Sequence, residues 1–167
     1  GLSSITTTEQ PESSLLQSIF DCVDEDSLYV TWDAECNQQS LLYFRCMKND
    51  LVPGGYWHSL QHVPDLQFDL AYWLRQGGRE MPSLNDLAQR FDYPGMLGMN
   101  RDSLWNSWLS GDTDAATAYS DYHALNTYLL ALKVLTMRSE ITAAAAEHAR
   151  AQLRQLLADS EQQRHRT

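Results

Sequence analysis

The longest helical signal in the chain, Thr113–Arg138, sets the frame into which everything else must fit. Tyr122, Leu125, Leu129 and Leu132 recur there on one stripe, the spacing of a helix that buries one face. A second long helix is expected over Glu140–Ser160, with its stripe through Ile141, Ala145, Ala149, Leu153 and Leu156. Upstream, Leu15, Leu16, Ile19, Phe20 and Val23 mark a helix that begins within Pro11–Ser14, and Gln39–Asn49 marks another carrying Leu41, Leu42, Phe44, Arg45 and Met47. Against these helices stands one clear β-like run, Leu28–Trp32. A single strand cannot make a sheet, so further strands are either missing or poorly signalled.

Shorter elements fill the middle of the chain. Pro53-Gly54-Gly55 ends the second helix and opens a loop to about Gln67. Asp69–Gln76 reads as a short helix or a strand-to-helix turn, closed by Gly77-Gly78. Ser83–Phe91 reads as a small helix, with Ser83 as its N-cap and Asp86 in the place of a capping-box acid. Pro94-Gly95 and Gly98 mark a turn-rich connection to a helix over Asp102–Leu109. No internal repeat or linker is visible, so one domain over 1–167 is expected, with flexible ends at 1–10 and 161–167.

Charge narrows the function classes. Twenty-two acidic residues face 12 basic ones, a formal charge of −10. Gripping a phosphate backbone is driven by neutralising phosphates and releasing counterions, which an acidic field opposes. The balance favours a protein partner or a metal-assisted site, and nucleic acid is disfavoured; a homo-oligomer is expected as one way to cover an exposed sheet edge or apolar surface. No apolar run approaches the roughly 20 residues that cross a bilayer, and Gly1–Gln10 has no basic-then-apolar leader. The expectation is a cytoplasmic protein away from membranes. Cys22, Cys36 and Cys46 lack the paired spacing of a zinc site and read as small hydrophobes in a reducing compartment.

The segment "PSLNDLAQRFDYPGMLGMN" at Pro82–Asn100 and "DSLWNSWLSGDTDAATAYSDYHALNTYLLALKVL" at Asp102–Leu135 carry a family resemblance. The second contains Tyr119 and, shortly after it, Leu125-Asn126-Thr127-Tyr128. Weaker support comes from "LYVTWDAECNQQSLLYFRCMKND" at Leu28–Asp50 and "DLQFDLAYWL" at Asp65–Leu74. Together these resemble PolB-like 3′–5′ exonucleases of the DEDDy type, over roughly three-quarters of the chain. The resemblance implies an α/β, ribonuclease-H-like exonuclease fold, here truncated at the N-terminus and mostly helical with a reduced sheet. It also implies two-metal phosphodiester hydrolysis. Four carboxylates hold two divalent ions, Mg²⁺ or Mn²⁺, and a tyrosine helps orient the attacking water.

This chain departs from that pattern at the chemistry. The third-motif tyrosine is Tyr119, but the aspartate four residues on is His123. The second-motif aspartate aligns with Gln38, and the lysine after Pro-Gly is Met96. No D-x-E strand stands before Pro11, so the first motif is expected to be absent, and Gly1 at the start raises a processed or fragmentary chain. Tyr119, His123 and Gln38 are thus vestigial motif positions, and no cofactor is expected unless activity survives. Asp121 cannot replace the lost acid, because two residues turn a helix by about 200° and aim it away from the face of Tyr119 and His123. Asp33 or Glu35 could reach the site if the second motif is shifted.

Plainer readings stand beside these. Tyr119, near Tyr122 and Tyr128 on an amphipathic helix, also suits the core. His123 on a helix suits a structural role more than a ligand's. Trp105 and Trp108 are expected to pack their short helix onto the body, and base stacking lacks basic neighbours. His58 and His62 lack the pattern of a metalloprotease pair, and Gly55-Tyr56-Trp57 offers a loop for recognition. Arg150 and Arg154, near Glu147, read as a solvated face. The leading expectation is an inactive exonuclease-derived domain serving as an interaction module. The alternative is a metal-dependent 3′–5′ exonuclease completed by an upstream segment or another chain.

Overall fold

The computed structural model describes residues 10–22, 28–33, 39–52, 67–75 and 80–164. Among them the elements run α1 Glu12–Asp21, β1 Tyr29–Thr31, α2 Gln39–Lys48, β2 Gln67–Asp69, α3 Leu70–Leu74, α4 Leu84–Arg90, α5 Arg101–Leu109, α6 Thr113–Met137 and α7 Ala143–Arg164. The described chain is mostly helical, with one two-stranded parallel sheet. Contacts divide it into two compact units that share α6: one holds the described residues up to Thr127, the other those from Tyr128 onward. No described helix is long and apolar enough to cross a membrane.

The second strand is the one the sequence signals poorly. β1 pairs with β2 in parallel, Tyr29 opposite Gln67, Val30 opposite Phe68 and Thr31 opposite Asp69. A parallel pair needs a crossover rather than a tight turn, and α2 lies in that crossover. Leaving β2, the chain turns at once into α3, because the Asp69 side chain caps the helix by accepting from the Tyr72 amide at 3.0 Å. Phe68, Leu70 and Ala71 are buried at this junction.

Helices α1 and α2 share a small core of Leu16, Phe20 and Cys46, with Leu42 and Leu51 packed against it. Of the apolar residues that mark α2 as amphipathic, Leu42 packs against this core while Leu41, Phe44 and Met47 are exposed. Apolar residues occupy two faces of α2, and burial selected the face that carries Cys46. Its thiol behaves as the small hydrophobe expected, with burial pushing its pKa up. Glu12 adds a polar clamp: it pairs with Arg45 and accepts from Asn49 Nδ2 at 3.0 Å. The hydrogen bond from Arg45, then that from Asn49, holds the Glu12 carboxyl below its usual pKa.

Four helices end in one way. The amide two residues past the C-cap returns to the carbonyl of the third-last helical residue: Leu51 to Cys46, Tyr93 to Ala88, Asp112 to Ser107 and Glu140 to Leu135. That motif needs a left-handed residue just after the C-cap, and the residues there are Asp50 (φ 51°), Asp92 (φ 59°), Gly111 (φ 82°) and Ser139 (φ 62°). Only Gly111 takes that conformation without a Cβ penalty. Replacing exposed Ser139 by glycine is therefore expected to stabilise the protein by about 0.5–1 kcal/mol. In thermal melts this is a rise of a few degrees at most; an unchanged or lower midpoint would contradict it.

The turn at Ser139 also delays the last helix. The chain spends 138–140 on it, so α7 starts at Ala143 rather than Glu140, with the Thr142 hydroxyl accepting from the Ala145 amide at 3.1 Å. It continues to Arg164, past the expected end at Ser160. Its inward stripe is Ala146, Ala149, Leu153 and Leu157, one residue away from the expected one at Ala145 and Leu156. A run of alanines gives no preference for one face. Arg150 and Arg154 form ion pairs with Glu147 at 3.2 and 3.3 Å, a solvated face as the sequence suggests.

Candidate functional site

Tyr119 and His123 are four residues apart on α6 and so share a face, their rings tilted by 30° with centroids 6.2 Å apart. Both line a cleft of about 400 Å³ within the unit that ends at Thr127. Trp32 and Asp33 enter it from the end of β1, and Arg75 from the end of α3. Asp121 does not line it, in keeping with its position on the helix. Gln38 lies outside the described residues, as do Glu35, Cys36 and the loop with Tyr56, Trp57, His58 and His62.

Asp33 is held from two sides. Its backbone is left-handed (φ 59°), and its amide donates to Asp69 Oδ1 at 3.0 Å, the same oxygen that caps α3. Its carboxylate accepts from Arg75 Nη1 at 2.7 Å. The acid that could have compensated for a lost ligand therefore reaches the cleft, but already carries a guanidinium. Arg75 has no local sequence signal. It enters only because the parallel pairing of β1 and β2 brings the ends of both strands together.

His123 is half-buried, and that burial pushes its imidazole below the usual pKa. The ring is therefore neutral at neutral pH. Met96, at the position where the resemblance expects a lysine, is buried and faces the same cleft. Its turn is fixed from two helices. Asn126, fully buried on α6, accepts from the Gly95 amide at 3.0 Å and donates to the Gly95 carbonyl at 2.8 Å and the Tyr122 carbonyl at 2.6 Å. From α4, Asn85 Oδ1 accepts from the Met96 amide at 2.9 Å. Gly95 has φ +65°, and a Cβ there would lie 2.8 Å from Asn85 Oδ1. The conformation calls for glycine, and a Cβ would also push the Asn85 side chain away from the Met96 amide.

The described residues, mostly helical with a small two-stranded parallel sheet, are compatible with a truncated α/β exonuclease-like domain. The family model for predicted 3′–5′ exonucleases related to the exonuclease domain of PolB matches residues 1–167, and the chain belongs to that family. No curated protein and no solved structure was found to match it.

Family membership implies divalent metal, and the described donors do not fit it. Two hard cations at one site need several carboxylate oxygens. The cleft offers Asp33, engaged by Arg75, beside a neutral imidazole at His123. Among the described residues no group of three or more His, Cys, Asp and Glu side chains could hold a metal ion.

Proposed function

We propose that this chain is an exonuclease-family domain of ribonuclease-H-like, DEDDy ancestry that has lost two-metal hydrolysis and serves as a protein-interaction module in nucleic-acid metabolism. The observation that carries the reading is His123: a half-buried imidazole occupies the cleft wall where the third-motif carboxylate is expected. A neutral nitrogen ligand does not balance the charge of a hard divalent ion, and the neighbouring carboxylate is already paired. Tyr119, His123 and Gln38 are then remnants of the motifs rather than working groups.

The test is digestion of 3′-labelled single-stranded DNA with Mg²⁺ or Mn²⁺. The purified chain is expected to leave the label intact. His123→Asp combined with Gln38→Asp is expected to restore nothing until a D-x-E strand is supplied. Metal-dependent shortening from the 3′ end by the unaltered chain would sink the proposal.

One observation favours the alternative, a metal-dependent exonuclease completed from elsewhere. Tyr119 still faces a cleft that contains a carboxylate, Asp33. That reading requires Mn²⁺ to raise the melting temperature, since a ligand that binds only the folded state stabilises it. The inactive reading expects no shift with millimolar Mn²⁺.

A further inference from the structure

Helix α5 is well made at both ends yet buries nothing. Asn100 accepts from the Ser103 amide at 2.8 Å while Ser103 Oγ accepts from the Asn100 amide at 2.9 Å, a reciprocal capping box. Gly111 closes the other end in the left-handed turn described above. None of its residues is buried, and Trp105, Trp108 and Leu109 are 60%, 41% and 67% exposed. The two tryptophans, expected to pack the helix inward, face solvent. Trp108 and Leu109 stand three and four residues after Trp105, the spacing of anchors presented along one helical face.

Charge says what that face suits. Asp102, Asp112 and Asp114 flank it, all exposed, and none forms an ion pair among the described residues. Between positions 100 and 114, Arg101 is the single opposing charge in the sequence. A strand of phosphates or an anionic lipid surface would meet three carboxylates, and a second copy would bring the same acidic face against itself. A lysine or arginine would instead find both an indole face and a carboxylate within one site. The chain's charge of −10 would draw such a partner from a distance.

We propose that Trp105, Trp108 and Leu109, with the exposed Asp102, Asp112 and Asp114 next to them in the sequence, form a docking surface for a basic amphipathic segment of a partner protein. The proposal rests on the interaction-module reading and names its partner class.

The test titrates the full chain with a synthetic peptide of lysine, arginine and leucine at helical spacing, read by calorimetry and tryptophan fluorescence. A charge-reversed peptide of glutamate and leucine is the control. The basic peptide is expected to bind, and Trp105→Ala with Trp108→Ala to weaken it by about tenfold or more, the size typical of an aromatic anchor. Asp102→Asn with Asp114→Asn should weaken it by about two- to fivefold, as rim charges do. All these positions are exposed, and circular dichroism checks that each variant is folded; Leu109→Asn serves as a further variant. Basic-peptide binding untouched by these changes would overturn the proposal. So would preference for the acidic peptide or for an oligonucleotide, or a dimer that the tryptophan variants dissolve. The nuclease assay is read separately, so DNA shortening would sink the inactive reading without touching this surface.

Discussion

Asn126→Ala is expected to lower stability by about 3–4 kcal/mol, the largest effect of any single change proposed for this chain. The side chain is fully buried and makes three hydrogen bonds, two of them to the amide and carbonyl of one residue, Gly95. Removing it leaves both backbone groups without that partner, and an unsatisfied buried polar group costs about 1–3 kcal/mol each. The cavity left by the amide adds to this. Asn126→Leu would fill most of the volume and still leave Gly95 unpaired, so it should recover only part of the loss. Asn126→Asp should fare no better, because a carboxylate oxygen would replace the nitrogen that donates to the Gly95 and Tyr122 carbonyls. Denaturant titration checks the set: the midpoint should fall with little change of slope. A loss below about 1 kcal/mol for the alanine variant would mean that the Gly95 turn is held by other contacts. Because Met96, Met99 and Asn100 line the cleft just after that turn, the same variant should also loosen one of its walls.

Asn126 was legible as part of a family-like run, yet its job was not. Local patterns announced elements more readily than their partners. The helix over Thr113–Met137 followed from its stripe, and the Ser83 cap of α4 from its hydroxyl, which accepts from the Asp86 amide at 3.1 Å. β2 did not announce itself, because a strand as short as Gln67–Asp69 exists only through its pairing with β1. The left-handed residues Asp50, Asp92 and Ser139 end helices without the glycine that would flag them. For the cleft, Tyr119 and His123 could be placed on one face by counting along a helix. Trp32 and Arg75 could not, since only tertiary pairing brings them there, and Met96 was marked only by the family resemblance. Spacing speaks for residues one or two turns apart and is silent about residues joined by a crossover.

Asp69 tests that crossover directly. Asp69→Ala is expected to cost about 2–3 kcal/mol, more than a helix cap alone, because one oxygen serves two donors. Asp69 Oδ1 accepts from the Tyr72 amide, which starts α3, and from the Asp33 amide just past the end of β1. Loss of the cap accounts for about 1 kcal/mol. A further 1–2 kcal/mol, roughly, comes from the bond to Asp33, strengthened by the charge on the acceptor. Asp69→Asn keeps an oxygen able to accept from both amides and should recover more than half of the loss. A purely local cap would behave otherwise: Asp69→Ala would then cost no more than an ordinary cap and leave the cleft unchanged. If the oxygen ties strand to helix, releasing it frees Asp33 from its left-handed position and disturbs the ion pair with Arg75. Hydrogen exchange separates the two cases. Protection should fall at the Asp33 amide as well as at Tyr72 in Asp69→Ala, and return at both in Asp69→Asn. Loss at Tyr72 alone would show that β1 and α3 are held together by something other than this carboxylate.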